Sequence, residues 1–187
     1  MNKIKIKNLT EGDIIKLEND FWKILDLKHS HLGRGGANIQ IKLKNIINNT
    51  TISKNFSPDE NVELVEIEEK PIKFVYQKDN FYYFFDNQNK KYQLSKNTLG
   101  NKANFVKKDL EIKGLFLDDH LINIILPVKA KYLVTEAPPG LKGDSQKNNT
   151  KTVTIETGYQ LSVPLFIDAG DYIIINTETG EYVERAK

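Results

Sequence analysis

The chain has 187 residues, 39% of them hydrophobic and 28% charged, enough apolar material for one large domain or two to three small ones with real cores. It has no cysteine, which excludes disulfides, thiol catalysis and thiolate metal sites, and no apolar run near the ~18 residues of a membrane-spanning helix. The formal net charge of +2 excludes a generally basic nucleic-acid coat, and the opening MNKIKIKNLT lacks the apolar stretch of a secretory signal, so a cytoplasmic location is expected.

In chain order the periodicity is that of strands. KIKIK alternates, FWKILDLKH follows the turn END, and NIQIKLKNI sets Ile39, Ile41 and Leu43 on one face and Gln40, Lys42 and Lys44 on the other. ISKNF and VELVEI follow turn-rich NNTT and SPDEN, so five short strands within residues 1–67 predict a small barrel. A second unit, residues 68–128, opens with the hairpin IKFVYQ–KDN–FYYFFD and continues through KYQLS. A short helix capped by Ser95 and a hairpin around Asp118 and Asp119 complete it. The third, residues 129–187, reads KAKYLVTEA, the polar loop PPGLKGDSQKNNTK, then TVTIETG, YQLSVPLFI, DYIIINT and EYVER. Alanine occurs six times and isoleucine 21 times. An all-β chain of three consecutive small barrels with short linkers is the expected architecture.

Charge is unevenly placed. From Phe21 to Ser57 the bases Lys23, Lys28, Arg34, Lys42, Lys44 and Lys54 face a single acid, Asp26, whereas residues 58–70 carry six acids and one base. The basic stretch contains HLGRGGAN, which puts Arg34 among Gly33, Gly35 and Gly36 between two strands. Glycines in that number allow a tight turn or a close approach to another surface. The loop lacks the Lys-Ser/Thr pair of a phosphate-binding loop and opens no helix, so it is not a nucleotide-cleaving site.

Candidate catalytic chemistry is scarce. Ser145, in GDS, would need a histidine held by a carboxylate to act as a nucleophile. The histidines are His29, His31 and His120, and no strand–turn–helix elbow frames Ser145. His29 and His31 lie two apart with no further ligand nearby, and read as strand-end residues rather than metal ligands. No catalytic residue, metal site or cofactor is expected.

The residues then meet a family. FWKILDLKHSHLGRGGANIQIKLKN resembles the strand, projecting loop and return strand of bacterial elongation factor P. FVYQKDNFYYFFD is similar to that family's second-domain aromatic hairpin, with Phe85 where the family has methionine. TIETGYQLSVPLFIDAGDYIIINTETGEYVERA follows its C-terminal signature.

The resemblance implies an SH3-like, KOW-type N-terminal barrel, two OB-fold barrels and an elongated, tRNA-like shape. It implies a non-enzymatic, monomeric factor that binds the 70S ribosome between the P and E sites, with no membrane partner. There the loop of His31, Leu32, Gly33, Arg34, Gly35 and Gly36 would reach the CCA end of the peptidyl-tRNA and relieve stalling at consecutive prolines. Lys28, Lys42 and Lys44 would form an RNA-facing basic surface. Gly140, Gly143, Asp144 and Ser145 would lie in the third-domain loop that approaches the E-site codon and the small subunit.

Where family members often have Lys-Pro-Gly-Lys-Gly, this chain has His31-Leu32-Gly33-Arg34-Gly35. The missing lysine argues against β-lysylation, and Arg34 is left as rhamnosylated by a rhamnosyltransferase, otherwise modified, or bare. Two nearby alternatives are an elongation-factor-P-like paralogue, which also has arginine at the tip, and a general single-strand RNA-binding OB protein. The latter needs exposed stacking aromatics, whereas many of Tyr76, Phe81, Tyr83 and Phe84 are expected inside the second core. On that reading the second and third domains are a rigid spacer, and Tyr182 and Arg185 are terminal-strand residues.

Overall fold

A computed structural model describes residues 2–31, 37–139 and 150–186. They form three β-sheets in chain order and divide into two compact units, residues 1–68 with 116–120, and residues 69–115 with 121–187.

The first sheet contains β1 (Asn2–Lys5), β2 (Ile14–Leu17), β3 (Asp20–His31), β4 (Ala37–Asn45), β5 (Thr51–Phe56) and β6 (Asn61–Val65). Its order is β1-β6-β2-β3-β4-β5. Six strands stand where five were expected, the additional one being Ile14–Leu17, whose apolar residues are adjacent rather than alternating. The alternating KIKIK also ends early: β1 stops at Lys5, and Ile6 enters a single 3-10 turn with its side chain fully buried. There its N–H donates to the Glu60 oxygen at 2.9 Å. Ile15, Ile24, Ile39, Ile41 and Leu43 join it in the core, each at most 1% exposed, and Trp22 packs against them. Burying each such side chain contributes about 1.5–3 kcal/mol.

The second sheet consists of β7 (Glu68–Lys78), β8 (Phe81–Asp86), β9 (Lys91–Ser95), β10 (Ile112–Leu117) and β11 (His120–Ile125), in the order β11-β10-β7-β8-β9. Between β9 and β10 lie α1 (Lys96–Leu99) and a 3-10 segment, Gly100–Asn104. Ser95 caps α1 as expected, its Oγ accepting from the Thr98 N–H at 3.0 Å. The β10–β11 turn falls on Asp118 and Asp119, both left-handed at φ 47° and 61°. Aspartate tolerates that region better than bulkier residues do.

The third sheet comprises β12 (Lys129–Glu136), β13 (Thr150–Ile155), β14 (Gln160–Pro164), β15 (Tyr172–Asn176) and β16 (Tyr182–Arg185), in the order β14-β13-β12-β15-β16. Tyr132, Val134, Val153, Val163, Ile173 and Ile175 fill its interior. Arg185 pairs its guanidinium with the Asp171 carboxylate and stands opposite Ile173 in the strand register, a terminal-strand position.

Candidate nucleic-acid interface

The β3–β4 hairpin builds the candidate site from its pairing register. His31 pairs with Ala37, Ser30 with Asn38, His29 with Ile39 and Lys28 with Gln40, so the backbone ladder runs to the two ends of the arginine loop. Leu32, Gly33, Arg34, Gly35 and Gly36 lie outside the described residues. His31 is placed as the last residue of β3.

Period two sorts the faces of β4. Ile39, Ile41 and Leu43 point into the core, at 1%, 0% and 0% exposure. Gln40 and Lys42 are exposed and Lys44 is half-buried. A register shift between Ile24 and Asp26 rephases β3. After it, Lys28 stands opposite Gln40 and Asp26 opposite Lys42; before it, Lys23 stands opposite Lys44. The third strand adds the uncharged Asn55, Ser53 and Thr51 opposite Gln40, Lys42 and Lys44. The predicted Lys28, Lys42 and Lys44 are thus brought together on one side of the hairpin, joined by Lys23.

Asp26 is the acid on that face. Its Oδ2 lies 3.5 Å from the Lys28 Nζ, with side-chain exposures of 40% and 72%. An ion pair that open to solvent contributes about 0–1 kcal/mol and leaves Lys28 available to an anionic partner. Part of the acidic run that follows is neutralised within its own unit. Lys7 and Lys5 donate to the Asp59 carboxylate at 2.9 and 3.1 Å and hold it below the usual carboxylate range.

Gly140, Gly143, Asp144 and Ser145 lie between β12 and β13, outside the described residues. Just before that segment the Pro138 oxygen accepts from the Lys151 Nζ at 3.1 Å, and Asp168 accepts from the same ammonium at 3.0 Å. Among the described residues no group of His, Asp and Glu is arranged to hold a metal ion. His29 is exposed, and the His120 Nδ1 lies 2.7 Å from the Asp118 oxygen.

The second sheet departs from the expectation that many of Tyr76, Phe81, Tyr83 and Phe84 lie inside its core. Phe84 is fully buried and Tyr82 6% exposed, but Tyr76 and Phe81 are 38% and 40% exposed. Sequence reasoning missed this face because the five aromatics of FYYFF run without a charged or small polar residue between them to mark which positions alternate outward.

Three family models match the chain in succession. The Elongation factor P (EF-P) KOW-like domain matches residues 3–62, the Elongation factor P (EF-P) OB domain residues 67–124, and the Elongation factor P, C-terminal model residues 131–185. The elongation factor P of Ruminiclostridium cellulolyticum is 36% identical over 177 residues, covering 94% of this chain and 95% of that protein. Two solved structures also overlap it. A translation initiation factor eif-5a family protein from Naegleria fowleri has a TM-score of 0.48 at 14% identity, covering 66% of this chain and 95% of its own. The eukaryotic translation initiation factor 5A from Methanococcus jannaschii has a TM-score of 0.47 at 14% identity, covering 67% and 92%.

Proposed function

This chain belongs to the elongation factor P family, and on that premise we propose that it binds the 70S ribosome between the P and E sites and restores peptide-bond formation at runs of proline. It is a translation elongation factor, and its family is one of ribosome-associated proteins. The proposal assigns three domains, residues 1–67, 68–128 and 129–187, to a cytoplasmic protein. It assigns the CCA end of the P-site peptidyl-tRNA to the loop at His31 to Gly36 and the E-site codon region to Gly140, Gly143, Asp144 and Ser145.

The observation that supports this reading most is the β3–β4 register, which gathers Lys28, Lys42 and Lys44 on one face of the hairpin that leads into the Arg34 loop. Lysines at such positions hold phosphates without reading sequence. A glycine-flanked loop is thin enough to enter a narrow space.

The chemistry asked of such a factor is alignment. Peptide-bond formation gains much of its rate from holding reacting groups in place, and ill-placed reactants lose that gain. Proline is a constrained secondary amine, so prolyl donor and acceptor align poorly. Arg34, always charged and with five donors in a planar fork, would fix the phosphates and riboses of the CCA end and supply no reacting group. A rhamnosyl group added to Arg34 by a rhamnosyltransferase would extend that reach. Intact mass of the protein purified from its own host distinguishes a sugar, another modification and bare arginine.

Translation of a message encoding consecutive prolines, with and without the purified protein, tests the proposal. Full-length product should rise only when the protein is present, and a proline-poor message should translate equally in both. Equal stalling with and without the protein refutes it.

A further inference from the structure

On the second sheet the strand register builds a solvent-facing surface separate from the arginine loop. Along β8, Phe81 is exposed and Tyr83 and Phe85 are half-buried on the outward side, while Tyr82 and Phe84 are buried between them. Across to β7 these three stand opposite Lys78, Tyr76 and Lys73 in turn, and Phe85 also stands opposite Lys91 of β9. Tyr76 and Tyr83 stack, their centroids 4.5 Å apart and planes at 21°. The Lys91 ammonium sits 4.4 Å from the Tyr83 centroid and 5.6 Å from that of Tyr76.

None of the positions in these rows is acidic. Asp79 lies in the β7–β8 turn, and the Asp86 carboxylate is taken up by the N–H groups of Gln88 and Lys90 and by the Tyr92 hydroxyl. Aromatic faces fixed between lysines attract a partner that carries both flat apolar rings and anionic charge, and single-stranded nucleic acid carries both. Neighbouring outward rings along β8 are about 7 Å apart, so each is a separate platform. β8 and β9 are the second and third strands of this domain, and strands two and three form the oligonucleotide-binding face of OB folds in general. A duplex buries its bases and would leave the rings unused.

We propose that the outward face of the second sheet is a second RNA-contact surface, taking unpaired bases on Phe81 and Tyr83 and phosphates on Lys73, Lys78 and Lys91. The central domain is then more than a spacer. This surface does not depend on Arg34, so the two sites fail or stand separately.

Equilibrium binding of the full-length chain to a labelled oligouridylate of about ten nucleotides, across a salt series, tests it. Tyr83→Ala is expected to weaken binding by roughly tenfold. Lys91→Ala, at an exposed position, is expected to weaken it as well and to reduce the slope of log K against log salt by about 0.7. Failure of the wild-type chain to bind oligouridylate, or binding indifferent to both substitutions, overturns the proposal. Competition by polyglutamate that matches RNA and ignores Tyr83→Ala also overturns it, since the face would then recognise acidic protein.

Discussion

Tyr132 of β12 donates its phenolic hydrogen to the main-chain oxygen of Phe105 at 2.8 Å, and the two rings meet edge to face with centroids 6.1 Å apart. Phe105 directly follows the 3-10 segment after α1, so this pair ties the helical insert of the central domain to the third sheet within one compact unit. Burial pushes the Tyr132 hydroxyl well above the usual tyrosine range. Tyr132→Phe keeps the ring contact and strands the Phe105 oxygen, a loss of about 1–2 kcal/mol in chemical denaturation. An unchanged midpoint would show that water replaces the bond.

Gly180 follows from the same cluster. At φ 76° it occupies the left-handed region, and a β-carbon there would lie 2.7 Å from the Tyr159 hydroxyl and 3.5 Å from the Phe105 ring. Backbone strain and this clash act together, so Gly180→Ala should cost at least about 1–3 kcal/mol. Thermal melting of the variant checks this; a melt equal to wild type would mean that Tyr159 swings clear and the backbone absorbs the strain.

Phe84 and Tyr83 are neighbours on β8 with opposite fates. Phe84 is fully buried, so Phe84→Ala should remove about 3–5 kcal/mol and weaken ribosome binding only through lost folding. Tyr83→Ala, on the outward side, should cost far less stability. Reversed stabilities of the two variants in urea would contradict the assigned faces.

Lys102 gives the chain a pH signature. Burial pulls its ammonium down to about 8, although Glu178 opposes the shift and the Asn123 Oδ1 and Ile124 oxygen accept from it at 3.0 and 2.7 Å. A lysine whose folded value lies below its unfolded value of ~10.4 sheds its proton earlier in the folded state. Stability from this group is therefore flat below about pH 8 and rises as pH climbs from there toward ~10.4. Lys102→Arg stays protonated and cannot follow, so wild type should gain on the variant between pH 8 and 10. A constant gap across that window would exclude the shifted lysine.

Much of this architecture was legible where period two is unbroken. NIQIKLKNI gave the buried and exposed faces of β4 directly, and Ser95 and the Asp118–Asp119 turn carry their own local chemistry. Ile14–Leu17 was missed because its apolar residues run together instead of alternating, with Ile15 fully buried and its neighbours only partly so. The outward aromatics were missed for a related reason. A register shift between Phe74 and Tyr76 sets exposed Val75 and Tyr76 side by side and breaks the alternation on β7. The Arg34 loop and the segment holding Asp144 and Ser145 lie outside the described residues, so their roles rest on sequence and family.

The rate of peptide-bond formation between prolyl residues on purified ribosomes, with wild-type chain and with Arg34→Ala, tests the central claim most directly. In the proposed projecting loop such a substitution typically changes stability by about 0.5 kcal/mol or less, so the variant should fold and melt like wild type. The account predicts that wild type accelerates prolyl transfer, that Arg34→Ala loses the acceleration, and that both leave non-prolyl transfer unchanged. Equal acceleration by wild type and Arg34→Ala would contradict it.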